Sequence, residues 1–212
     1  MTNILVLESS LFPPDVSASR RVTKRFVQGW REREPDVVIV RRDLVAQPLP
    51  HAGWDLMAGS MTPADARTRA QAEAVAISDA LIDEIFAADV LVIGAPMYNF
   101  SIPSSLKAWV DHVAIAGRTF RYTPEGRSEG LVAGKRVFIL ASRGGVYGVE
   151  PMAAFNFQDT YLRSVLGFLG LADVTVIAAE RQKMGPVEQE AGLAQAYNQV
   201  AEVLDTVVCP AA

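Results

Sequence analysis

Ile4-Leu5-Val6-Leu7-Glu8-Ser9-Ser10-Leu11-Phe12-Pro13-Pro14-Asp15-Val16-Ser17-Ala18-Ser19-Arg20-Arg21 runs from an apolar strand through a hydroxyl-rich loop into a helical pattern that starts near Ser19. The first backbone N–H groups of a helix have no partner within it, and the helix dipole makes that end positive. A strand that feeds such a helix start through Ser10, Ser17, Ala18 and Ser19 builds an anion site, with hydroxyl donors added to the backbone donors. Arg20 and Arg21 add positive charge nearby. A phosphate group is the natural occupant. The loop carries neither G-x-G-x-x-G nor G-x-x-x-x-G-K-[ST], so the common dinucleotide and nucleoside-triphosphate loops are not indicated.

Downstream, apolar runs of strand length alternate with longer helical patterns. Val37–Val40, Val90–Ile93, Val137–Leu140 and Val174–Ile177 join Ile4–Leu7 as strands, dense in Val, Ile and Leu with little polar alternation. That density predicts parallel strands covered on both faces. The first helix places Val22, Phe26 and Trp30 on one stripe. A second is expected over Pro63–Ala87, with Thr62 as N-cap and Pro63 at its first position. A third starts at Pro103 and carries Leu106, Trp109, Val110 and Val113 on one face. A fourth carries Phe155, Leu162, Val165, Leu166 and Leu169, and the last runs from about Pro186 to Val208 with Tyr197, Val200, Val203 and Leu204 inward.

This alternation predicts an α/β fold: a doubly wound, five-stranded parallel sheet of order 2-1-3-4-5 in a three-layer αβα sandwich, with residues 1–212 as one domain. Two connections are longer than the fold requires. Residues 43–61 join the second strand to the second helix. Residues 117–134 join the third helix to the fourth strand and read as a hairpin-like excursion with a turn at Pro124-Glu125-Gly126.

The chain has 212 residues, 50% of them hydrophobic, and a net charge of −4. That is enough for a sizeable core. The acidic balance offers no basic face to nucleic acid and no attraction to anionic lipid, so neither partner is expected. No apolar run approaches the roughly 18–20 residues of a membrane span. The start has no charged leader, and a cytoplasmic protein is expected. The single cysteine, Cys209, excludes an intrachain disulfide and is expected to be inert. His51 and His112 are widely separated, without a partnered carboxylate motif, so no metal site is expected.

In a sheet of this order, ligands bind outside the carboxyl ends of the strands, where the order reverses. The loops after the first, third and fourth strands should converge there. The second of these is Pro96-Met97-Tyr98-Asn99-Phe100 and the third is Ser142-Arg143-Gly144-Gly145. Met97, Tyr98 and Phe100 offer surface to a planar ring, and Asn99 a donor and an acceptor. Gly144 and Gly145 let backbone N–H groups approach a ring edge closely. Read alone, Arg143 fits a solvated surface residue, and only its glycine neighbours carry weight. Together the three loops suit an isoalloxazine ring carrying a phosphate tail.

The combined pattern resembles the FMN-dependent NADH-azoreductase family, also described as NADH:quinone reductases, of the flavodoxin-like superfold. It extends over nearly the whole length, from Ile4–Ser10 through Pro96–Phe100, Leu106-Lys107, Thr119–Thr123 and Gly130–Val132 to Ser142–Gly145 and Leu166-Gly167-Phe168. The resemblance implies FMN held at its phosphate by Ser10, Ser17, Ala18 and Ser19, and at its ring by Met97, Tyr98, Asn99 and Phe100 with Ser142, Arg143, Gly144 and Gly145. It implies a homodimer, with Tyr122 and Phe168 lining the substrate cavity; plain dimer packing is the other reading of those two. It implies a ping-pong cycle in which hydride passes from NADH through flavin N5 to a quinone or an azo compound, cleaving aromatic azo bonds to amines. No protein catalytic residue is demanded, because the cofactor carries the chemistry. The first loop departs from the family in Phe12-Pro13-Pro14-Asp15, which is expected to change its stiffness and not its phosphate site. A flavodoxin-type electron carrier or a non-enzymatic binding module of the same fold are the alternatives.

Overall fold

A computed structural model describes residues 1–208, so Cys209 lies outside the described residues. The chain runs through β1 (Asn3–Glu8), α1 (Ala18–Arg33), β2 (Val38–Asp43), α2 (Trp54–Met61), α3 (Arg69–Ala87), β3 (Val90–Pro96) and α4 (Ser104–Val113). It continues through β4 (Phe120–Tyr122), β5 (Ser128–Gly130), β6 (Arg136–Ser142), α5 (Asp159–Leu169), β7 (Asp173–Ala179) and α6 (Pro186–Val207). The main sheet is parallel throughout, in the order β2-β1-β3-β6-β7. Since β4 and β5 form a separate antiparallel pair, this is the expected 2-1-3-4-5 arrangement.

Successive side chains of a strand point to opposite faces, and here both faces are covered. Leu5, Leu7, Leu91, Ile93, Val137 and Ile139 pack under α3, α4 and α5. Ile4, Val6, Val90, Val92, Phe138 and Leu140 pack under α1 and α6. Phe26 and Trp30 of α1 meet Phe138 at ring-centroid distances of 4.8 and 6.2 Å. The edge strand β2 departs from the expected two-sided burial: Val38 and Val40 are exposed. Arg41, Arg42 and Asp43 follow them, charged residues that blunt an open edge.

The helix expected over Pro63–Ala87 is two helices. Thr62 ends α2 as its C-cap in extended conformation, the geometry a following proline favours. Then α3 starts at Arg69 under a complete capping box, Thr68 with Gln71. The fourth helix begins later than expected. Phe155 lies in a short 3₁₀ turn, Met152–Phe155, and α5 starts at Asp159.

Residues 117–134 do form a hairpin, and glycine explains where it sits. A Cβ on Gly130 would lie 2.1 Å from Gly170 N, so β5 touches the end of α5 backbone to backbone. Gly170 closes α5 with a φ of 101°, the left-handed cap that glycine adopts without steric cost.

Candidate cofactor site

The carboxyl ends of β1, β3 and β6 open onto a cleft of about 710 Å³. It lies where the strand order reverses, between β1 and β3. Ser10, Ser17 and Ala18 line it, and Ser19 is buried behind them. Ser17 is the N-cap of α1, accepting from Arg20 N at 3.3 Å. Its hydroxyl donates to Ser10 Oγ at 2.8 Å and lies 3.2 Å from Ser19 Oγ. Three hydroxyls thus cluster at a helix N-terminus, an arrangement that can turn toward an anion. The Phe12-Pro13-Pro14-Asp15 segment is a tight turn, with Val16 N and Ser17 N both donating to Pro13 O.

The two arginines expected nearby are engaged elsewhere. Arg20 grips Asp43 through both terminal nitrogens, at 2.6 and 3.1 Å, and donates to Ser10 O at 2.9 Å. It holds the first loop to the end of β2. Arg21 faces Glu190 at 3.9 Å.

The loop after β3 forms a second wall. Tyr98 and Ser101 exchange backbone hydrogen bonds around Asn99 and Phe100, whose φ values are 49° and 71°. Positive φ is tolerable for asparagine and strained for phenylalanine. Met97, Tyr98 and Asn99 line the cleft. Tyr98 closes it toward the first loop: its hydroxyl accepts from Leu11 N at 3.1 Å and lies 3.3 Å from Ser10 Oγ. The Phe100 ring turns to the rim, against Phe155 and Tyr147, and does not line the cleft.

The loop after β6 supplies Ser142, Arg143 and Gly144 to the cleft, with Gly145 just beyond. Arg143 is not a solvated surface residue: its side chain is 3% exposed. It donates to Gln158 Oε1 and to Glu180 Oε1, each at 3.0 Å, and reaches Asp159 at 3.2 Å. Gln158 in turn donates to Ala95 O at 2.7 Å. Arg143 therefore holds the ends of β3, β6 and β7 and the start of α5 in one cluster. A fourth wall, absent from the sequence reading, comes from Gln182, Lys183 and Gln189. Its signal was the loop after the last strand, which also lies at the carboxyl edge of the sheet.

Tyr122 and Phe168 do not line this cleft. They flank Phe120, with ring centroids 5.6 and 4.4 Å from it, and Tyr122 is 66% exposed. His112 is buried away from the cleft, bonded to Ser78 Oγ and to Pro50 O, each at 2.9 Å. Among the described residues no group of acids, histidines and cysteines could hold a metal ion.

Beneath the first loop lies Glu8, on the α1 face of β1, with its Oε2 buried and unpartnered. Burial pushes its pKa up to about 7, against the smaller pull of Arg20 and Arg41. The folded chain thus holds this proton more tightly than the unfolded chain, which releases it near 4.5. The folded state is favoured below that value and loses the advantage as pH rises to about 7. At about 1.4 kcal/mol per unit, the full loss is about 3 kcal/mol. Glu8→Gln is expected to gain about that much over the wild type at pH 8 and little near pH 4.5. Urea midpoints at both pH values check this; an equal difference at the two would refute it.

Among the described residues no carboxylate, histidine or cysteine lines the cleft. The walls offer hydroxyls, backbone groups and an apolar floor from Pro96, Met97 and Ile102, a set that fits a planar ring with a phosphate tail. A family model for the flavodoxin-like fold matches residues 2–204. The FMN-dependent NADH:quinone oxidoreductase of Herminiimonas arsenicoxydans is 50% identical over 204 residues, spanning 96% of this chain and 99% of that one. The chain belongs to the family of FMN-dependent NADH:quinone oxidoreductases. A second member of the family, from Azotobacter vinelandii, is 46% identical over 203 residues, spanning 96% of this chain and 100% of its own. Among solved structures, an azoreductase from Bacillus anthracis str. Sterne matches with a TM-score of 0.90 at 30% identity, covering 97% of this chain and 100% of that one. An FMN-dependent NADH-azoreductase from Bacillus anthracis str. Ames Ancestor, in complex with FMN, matches at 0.86 with 25% identity, covering 99% and 100%.

Proposed function

We propose that this chain transfers reducing equivalents from NADH, through bound FMN, to quinones and to aromatic azo compounds, in a ping-pong cycle. The observation that carries the reading is the hydroxyl cluster at the α1 N-terminus, opening into a cleft that no carboxylate among the described residues lines. Ser10, Ser17, Ala18 and Ser19 would hold the phosphate. Met97, Tyr98, Asn99 and Ser142 would hold the ring, with Phe100, Arg143, Gly144 and Gly145 contributing backbone. FMN supplies the two-electron chemistry when bound. The protein's part is to bind, orient and exclude water. NADH is a cytoplasmic reductant, and the reading places the enzyme there.

The same reading makes the enzyme a homodimer. Trp54, Met57 and Met61, at helical spacing on one face of α2, are 76%, 51% and 73% exposed. Residues 117–134 and α4 offer less apolar surface than α2 does. There Tyr122 is the one large hydrophobic side chain exposed, and α4 presents none. A second copy over α2 and the hairpin would cover all four side chains. The purified protein is expected to be yellow, dimeric by light scattering, and equimolar in FMN and chain, with NADH oxidation that rises on adding a quinone or azo dye. A colourless protein that fails to take up FMN sinks the reading. A flavoprotein that NADH does not reduce is an electron carrier instead.

Tyr122→Ala is expected to raise KM for the acceptor several-fold while FMN content stays full. The ring lies outside the cleft of its own chain and would reach a flavin only across the dimer, as a stacking surface. Such a contact is made in ground and transition states alike, so KM moves more than kcat. A looser dimer with unchanged KM would make Tyr122 a packing residue.

A further inference from the structure

The segment between β7 and α6 is fastened to the cleft. Arg181 N donates to Gly145 O, Gln182 N to Arg143 O and Lys183 N to Gly144 O, at 3.0, 3.0 and 2.9 Å. Gln182 Nε2 ties the segment to α6, donating to Gln189 O at 3.3 Å. The Lys183 stem lies over Gly144, where an added Cβ would sit 3.3 Å from its Cγ. The ammonium ends 6.0 Å from the centre of the Phe12 ring. Phe12 N itself donates to Ser10 Oγ at 3.2 Å. The side chain therefore spans from the loop after β6 to the loop after β1, and ends at the residue next but one to Ser10.

The charge balance of the cleft gives this placement its meaning. Two cations line it, Arg143 and Lys183. Arg143 is engaged by Glu180 and Asp159, and Arg20 behind the first loop is engaged by Asp43. Lys183 enters no ion pair among the described residues. A phosphate dianion among neutral hydroxyls and backbone N–H groups gains strongly from one mobile cation in reach. A lysine supplies that as a point charge on a flexible stem.

We propose that Lys183 is the counter-charge of the flavin phosphate, a reading that rests on that phosphate lying among Ser10, Ser17 and Ser19. The alkyl stem is held over Gly144, and the ammonium swings from the Phe12 face to the phosphate. Riboflavin, which has the same ring and no phosphate, separates this role from packing.

The test strips the full chain of flavin and titrates it with FMN and with riboflavin by fluorescence, at low and moderate salt. Lys183→Met is expected to weaken FMN binding roughly tenfold, to flatten its salt dependence and to leave riboflavin affinity unchanged. Lys183→Arg is expected to restore most of the FMN affinity. No loss for FMN, or an equal loss for both ligands, overturns the proposal. A parallel Ser17→Ala, Ser19→Ala variant separates the two claims. If it lowers the preference for FMN over riboflavin and Lys183→Met does not, the serine site stands and Lys183 is discarded. If neither variant changes that preference, the phosphate lies elsewhere and both claims fall.

Discussion

Arg143→Met is expected to lower the free energy of unfolding by about 3–5 kcal/mol, the cost of leaving buried charges without their partner. The guanidinium is 3% exposed, while the Glu180 and Asp159 side chains it serves are 21% and 20% exposed. Both carboxylates would stay behind, half-withdrawn from water, with Gln158 Oε1 left unpaired as well. Glu180 Oε1 also accepts from Tyr147 N at 2.8 Å, so the damage extends into the segment that carries the rim aromatics. Arg143→Lys keeps the charge and loses the planar fork, and a loss of intermediate size is expected. Adding Glu180→Gln to Arg143→Met should recover part of the stability, because the orphaned charge is what costs. Urea denaturation of the three variants checks the series. A loss under about 1 kcal/mol for Arg143→Met would mean that water compensates the cluster freely.

Ser17→Ala with Ser19→Ala is expected to weaken FMN binding by about 3–6 kcal/mol, taking about 1.5–3 kcal/mol for each hydrogen bond to a charged group. The fold loses less. Ser17 caps α1, and a lost cap costs about 1 kcal/mol. Backbone N–H groups at the start of α1 remain, so binding weakens without vanishing. The hydroxyls now bond to one another, and truncating both leaves Ser10 Oγ with Phe12 N and Tyr98 as its neighbours. Fluorescence titration measures the loss, and circular dichroism confirms that α1 persists. An affinity within about 1 kcal/mol of the wild type would place the phosphate away from this loop.

The strands are legible in the sequence because strands sandwiched between helices must be apolar on both sides, and runs such as Val90–Ile93 have no other economical use. The run Val37–Val40 reads the same way although β2 is an exposed edge. Composition reports that a strand forms and is silent about its neighbours. The break between Thr62 and Thr68 is harder to see. Pro63 fits a first helical position as well as it fits a break, and only the Thr68–Gln71 capping box favours the second start. In the site, loop positions follow from topology, so the serine loop and the Met97–Asn99 wall fall where expected. Side-chain direction does not follow from topology. Phe100 and Arg143 occupy expected loops, yet one ring turns to the rim and the other side chain turns into an ion cluster. Those choices depend on Phe155, Asp159 and Glu180, residues distant in sequence whose pairing is decided by packing.

The walls of the cleft come from segments far apart in the sequence, from Ser10 to Gln189. During synthesis the serine loop leaves the ribosome early and waits without its opposite wall. The cleft closes only after β7 has docked beside β6 and Gln182 and Lys183 have bonded to residues 143 and 144. Flavin is therefore expected to load only after β7 has been made and has docked beside β6. A chain that stops before β7 is expected to be colourless, and the yellow colour becomes a mark that the segment carrying Gln182 and Lys183 is in place.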